Sequence, residues 1–181
     1  EGVDPDGDLD PETVLVDVGA LEPCGDGTDL CLTSGFDERL SAHIERVRES
    51  EGPRLALADL LVVDQDRVEL GTHRAAFVAE VGGEQISRWP SRAALVADLA
   101  ADRALREQTR DLADLPIERR SGLLGSLRVF VECCPEFDGR VQFREKTVES
   151  CCRSWAVLAC ECEDCGARLF EAKASEVEDG G

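Results

Sequence analysis

The chain has 181 residues, enough to bury a core as one domain or two small ones, and it carries 39 acidic against 20 basic residues for a net charge of −19. Only Lys146 and Lys173 are lysines, and 43% of the residues are hydrophobic, so the acidity reads as the self-repelling surface of a salt-adapted cytoplasmic protein rather than as disorder. No apolar run is long enough to span a bilayer, no signal-peptide pattern opens the chain, and the charge disfavours non-specific nucleic-acid binding, which needs basic stripes.

Residues 1–12 are acidic, with two prolines and two glycines, and read as a disordered lead-in. Residues 13–18 are expected as a strand, with 28–33 returning antiparallel across the Gly-rich turn at 24–27. A helix is expected over 34–49. Ser34 can cap it with Asp37 three positions on, and Phe36, Leu40, Ile44 and Val47 form one apolar stripe. Gly52-Pro53 ends it, and a short helix follows over 54–61. Strands are expected at 67–70, 75–81 and 84–89. The last two are joined by Gly82-Gly83, a turn that needs positive φ. Ser91 opens a helix to about residue 109, and Pro116 opens another to about 132, with Ile117, Leu124, Leu127 and Val131 on its face.

The composition changes after Glu132. Seven of the nine cysteines fall between Cys133 and Cys165, and such clustering favours metal over disulfides. Cys162-Glu-Asp-Cys165-Gly166 is a complete metal-binding turn, with a glycine where positive φ is wanted. Its counterpart, Cys134-Pro-Glu-Phe137-Asp-Gly139, has Phe137 where the second cysteine belongs. Three strands are expected in this region: 140–148, with Val141, Phe143 and Thr147 on one face; a second strand whose Trp155, Val157 and Ala159 face them; and 168–170. A turn at Glu149-Ser150 joins the first two.

The fold class is therefore α+β, an N-terminal mixed helix and hairpin region (13–132) followed by a small three-stranded zinc-ribbon-like domain (133–172), with 173–181 as a disordered tail. Cys134, Cys162 and Cys165 are the first three candidate zinc ligands. The fourth is Cys133, adjacent to Cys134, or Cys160, which lies two residues before Cys162 on the same strand face at about 7 Å. A degenerate ribbon without metal, and an open three-thiolate site, are the competing readings. Phe137, being apolar, is expected to seal its corner against water.

Other candidates carry less. Cys151-Cys152 beside Arg153 could be a reactive thiol pair or two small residues in a turn. Cys24 and Cys31 could close a disulfide around the Gly-rich turn, although in a reducing compartment they read as buried small hydrophobes. His43 and His73 are expected at the surface or at an element edge.

The segment GRVQFREKTVESCCRSWAVLACECEDCGARLFE, with the Ser91-Arg-Ala-Ala and Pro116-x-Glu-Arg helices before it, resembles uncharacterised haloarchaeal proteins that carry a small α/β region and a C-terminal ribbon. The likeness runs from about Phe36 to Glu171, is most specific in the ribbon, and implies no activity. The expected function is a non-enzymatic protein whose ribbon serves as a protein-interaction module. The alternatives are a transcription-associated nucleic-acid binder and a thiol redox sensor acting through Cys151 and Cys152.

Overall fold

The computed structural model describes residues 10–150 and 153–173. Residues 1–9 of the expected lead-in lie outside the described residues; the first described element is helix α1 (Pro11–Asp17), not the strand expected over 13–18. Asp10 is the reason. Its carboxylate accepts hydrogen bonds from the Thr13 amide at 3.0 Å and the Thr13 hydroxyl at 2.6 Å. Pro11 stands in the first turn, where its missing N–H costs nothing. A local cap thus outweighs the β-branched composition of Thr13-Val-Leu-Val, and Leu15 becomes fully buried.

The expected return strand exists as β2 (Asp29–Leu32), but its partner is β1 (Leu21–Cys24). Gly25 and Gly27 take φ of 62° and 89° in the turn, and Cys24 and Cys31 are joined in a disulfide across the hairpin. Helix α2 (Ser34–Val47) follows. Its cap is Thr33, not Ser34: the Thr33 hydroxyl donates to the Gly19 carbonyl at 2.8 Å and accepts from the Phe36 amide at 3.4 Å. The stripe Phe36, Leu40, Ile44 and Val47 is buried as expected.

Helix α3 (Gly52–Leu61) leads to an antiparallel meander of β3 (Val68–His73), β4 (Ala76–Val81) and β5 (Glu84–Trp89). Gly82 and Gly83 turn between the last two with φ of 63° and 85°. Helix α4 (Arg92–Gln108) is the central element, capped by the Ser91 hydroxyl accepting from the Ala94 amide. Residues 93–102 are buried without a break, Asp98 and Asp102 included, so the helix is enclosed on every side along most of its length. Leu95, Leu99 and Leu105 enter the main core with α1, α2, α3, the meander and α5 (Ile117–Leu127), while Ala93 and Ala97 belong to a second core.

That second core joins α4 to a sheet of β6 (Val141–Ser150), β7 (Arg153–Cys162) and β8 (Arg168–Lys173), antiparallel in that order. The β6–β7 register runs from Val141↔Cys162 to Ser150↔Arg153, so odd-numbered residues oppose even-numbered ones. Val141 and Phe143 consequently share a face with Cys162 and Cys160. Val157 and Ala159 lie on the other face, opposite Lys146 and Arg144, and are not the apolar partners expected of Val141 and Phe143. The first strand also includes Glu149 and Ser150, where a turn was expected, and ends at Ser150. Cys134, Cys160, Cys162 and Leu169 pack with Ala93 and Ala97, and the Ser91 hydroxyl and Arg128 guanidinium donate to the carbonyls of Arg168 and Leu169. Alanine on α4 is what lets the sheet come this close.

Candidate metal centre

Two backbone turns carry the site, and they have the same hydrogen bonding. In the first, the Asp138 amide donates to the Cys134 carbonyl at 3.0 Å, and the Cys134 amide donates to the Gly139 carbonyl at 2.7 Å. In the second, the Gly166 amide donates to the Cys162 carbonyl at 3.0 Å, and the Cys162 amide donates to the Ala167 carbonyl at 3.0 Å. Asp138 and Gly166 occupy equivalent left-handed positions, with φ of 56° and 70°. Asp is among the few side chains that tolerate that region, so the first turn keeps its shape without a glycine there. The correspondence puts Phe137 in the place that Cys165 holds in the second turn.

The turns meet. The sulfurs of Cys134, Cys162 and Cys165 all lie within 4.8 Å of one another, and Cys134 Sγ is 3.8 Å from Cys165 Sγ. Four thiolates at about 2.3 Å from a zinc ion would define a tetrahedron with edges of about 3.8 Å. The spacing suits a thiophilic ion, and three side chains are close enough to hold one.

Gly139 makes the approach possible. A Cβ there would stand 2.4 Å from Asp164 Oδ2 and 2.8 Å from Cys162 Sγ, so any larger residue would displace the Asp164 carboxylate and the Cys162 sulfur. The electrostatics differ between the two buried sulfurs. Burial pushes the Cys134 thiol up to about 12, against the amides of Glu136 and Phe137 that favour its thiolate, and the adjoining Cys165 and Cys162 thiols raise it further. For Cys162, burial also pushes upward, but the amides of Cys165 and Asp164 and the neighbouring thiols outweigh it and leave the group below its ordinary value of 9.0. Amides aimed at sulfur stabilise negative charge there, which is what a thiolate ligand set requires.

The two residues expected to compete for the fourth corner stand outside this group. Cys133 is exposed, in an isolated bridge with Arg140; as the neighbour of Cys134 in extended chain it points away. Cys160 is buried one strand repeat from Cys162 among Ala93, Ala97 and Leu169, and burial alone pushes its thiol up to about 11. Cys151 and Cys152 lie outside the described residues. Phe137 does not close over the sulfurs as a plug buried from solvent: it is 66% exposed.

Sequence reasoning did not find what holds the first turn in place. Arg48, at the end of α2, pairs with Asp138 at 2.7 Å, and Arg92, at the start of α4, pairs with Glu136. Arg92 also donates to the Arg48 backbone carbonyl at 3.2 Å, which ties the start of α4 to the end of α2. No local motif marks a pairing across ninety residues of chain. His43, expected at the surface or at an element edge, is buried on α2 with Nε2 2.9 Å from Glu107 Oε1, while His73 is exposed at the end of β3.

Comparison with curated proteins and with solved structures finds no match. Family models do match: residues 10–129 fit the central domain, and residues 132–172 the C-terminal domain, of one family of unknown function. With most of its length covered by those two models, and with its cysteine site wholly inside the second, the chain belongs to the family of unknown function DUF8054.

Proposed function

We propose that this protein is a non-enzymatic protein-interaction module whose C-terminal sheet is a zinc-ribbon-like unit with one displaced ligand position. The observation that carries the reading is the convergence of three sulfurs from two matched turns. Such a site braces a small sheet that has little core of its own. Here the brace sits against α4, so ribbon and helical region present a joint surface.

That surface contains a groove of about 1110 Å³ running between β2, α2, the turn at 129–133 and the start of β6. Leu30, Ile44, Phe130 and the 59% exposed Phe143 give it an apolar floor. Its rim carries Glu12, Asp29, Asp37, Glu132 and Asp138 against the single cation Arg140. An apolar floor with an acidic rim suits a cationic amphipathic segment of a partner protein. The nucleic-acid alternative has less support, because Lys146 is engaged by Glu161 and Arg168 by Glu171. The haloarchaeal, cytoplasmic reading rests on the same acidic, lysine-poor composition.

Metal analysis tests the centre. Protein isolated without chelators should carry about one zinc per chain, lost in Cys134→Ser and in Cys162→Ser but kept in Cys24→Ser; a metal-free wild type would sink the reading. A fluorescent peptide of alternating leucine and lysine tests the groove. Phe143→Ala should weaken its binding, and Ile86→Ala, on the exposed side of β5, should not. Equal loss in both would mean that net charge alone attracts the peptide.

A further inference from the structure

The two matched turns also say which corner lacks a donor and which way it faces. Each turn contributes its first and fourth residues. The first residues, Cys134 and Cys162, are 1% and 3% exposed; the fourth residues, Cys165 and Phe137, are both exposed. The corner beside Phe137 is therefore on the solvent side, next to Cys165. No other described His, Cys, Asp or Glu joins the group of three sulfurs. The described ends of the β6–β7 hairpin, Ser150 and Arg153, lie at the far end of ten-residue strands, roughly 30 Å from Cys162.

We propose that an ion held by Cys134, Cys162 and Cys165 keeps its fourth coordination position for a neutral nitrogen donor from outside the chain, a histidine imidazole of the protein partner. The proposal rests on the metal centre argued above and adds the class of ligand that the centre takes. Charge selects the donor. A divalent ion with three thiolates already bears one net negative charge, and exposed Glu163 and Asp164 flank it on a chain of net charge −19. A fourth thiolate would add to that repulsion, whereas an imidazole adds no charge. The exposed Phe137 ring beside the corner gives a planar donor an apolar surface to lie against.

The test uses the reduced 181-residue chain loaded with Co²⁺ in place of zinc, read by its visible ligand-field bands and titrated with imidazole and, separately, with 2-mercaptoethanol. Imidazole should shift the bands of the wild type at lower concentration than the thiol does. Phe137→Cys should show four-thiolate bands from the outset, ignore imidazole, and bind Co²⁺ more than about tenfold tighter, since its fourth donor is tethered. Wild-type bands that imidazole fails to move overturn the proposal, and their change in Cys133→Ser or Cys160→Ser would identify an internal donor instead. A stronger response to the thiol than to imidazole overturns the nitrogen assignment. If the wild type binds no stoichiometric Co²⁺, or if binding survives Cys134→Ser, the metal centre itself is lost rather than only its fourth ligand.

Discussion

Asp98 is a carboxylate in the middle of the most buried helix of the chain. Burial pushes its acid up to about 6, although the Arg128 guanidinium and the Trp89 indole N–H, which donates at 2.8 Å, both pull the other way. Arg128 Nε stands 3.0 Å from Asp98 Oδ1 but is not aligned for a hydrogen bond, so the charge is only partly compensated. A carboxyl whose native pKa lies above its unfolded value holds its proton more tightly when folded. Its contribution to stability is complete below about 3.8 and is lost as pH rises through about 6. The gap corresponds to roughly 3 kcal/mol at most. The melting temperature of the wild type should therefore fall relative to that of Asp98→Asn as pH rises from about 3.8 to about 6, and level off above that; a difference independent of pH across that window would show that Asp98 is already ionised throughout. The cysteine cluster illustrates how far single residues could be read from sequence. Cys134, Cys162 and Cys165 announce themselves by spacing, and they do come together. Gly139 could have been found too, as the glycine closing the first turn. Arg48 and Arg92 could not, because nothing in their own neighbourhood points to residues 136 and 138.

At the scale of elements, α4 does two jobs with two faces. Its leucines fill the main core, and Ala93 and Ala97 leave room for β8 and the buried cysteines. Both alanines are essentially inaccessible, at 0% and 1% exposure. Ala97→Leu should overpack this junction and cost about 1–3 kcal/mol. Urea denaturation should show the loss, and the near-ultraviolet signal of Trp155 on β7 should loosen with it; an unchanged midpoint would mean that the sheet is not pressed on α4. Periodicity made the long helices and the β3–β5 meander legible, since each repeats its pattern for several residues. It failed where one interaction decides. At α1, the Asp10 cap and Pro11 overrule a run of valines. In the C-terminal sheet, alternation along each strand is plain, but which faces meet depends on the parity of the connection, and composition does not encode that.

For the whole molecule, charge is the dominant fact. Its 20 basic side chains could neutralise barely more than half of 39 acidic ones even if every one were paired. The excess repels itself over a Debye length of about 10 Å in 0.1 M salt and about 3 Å in 1 M. Added KCl should raise the melting temperature across that range, because relief of the unpaired excess outweighs weakening of surface pairs worth about 1 kcal/mol or less each. A melting temperature that falls with salt would mean that the ion pairs prevail.

Arg48 and Arg92 grip the residues on either side of Phe137 from two different helices. The first turn thus inherits its shape from the helical scaffold, so the spacing of the three sulfurs is set in part by two helices outside the sheet. Loosening either helix would therefore unsettle the thiols without touching any residue of the C-terminal sheet.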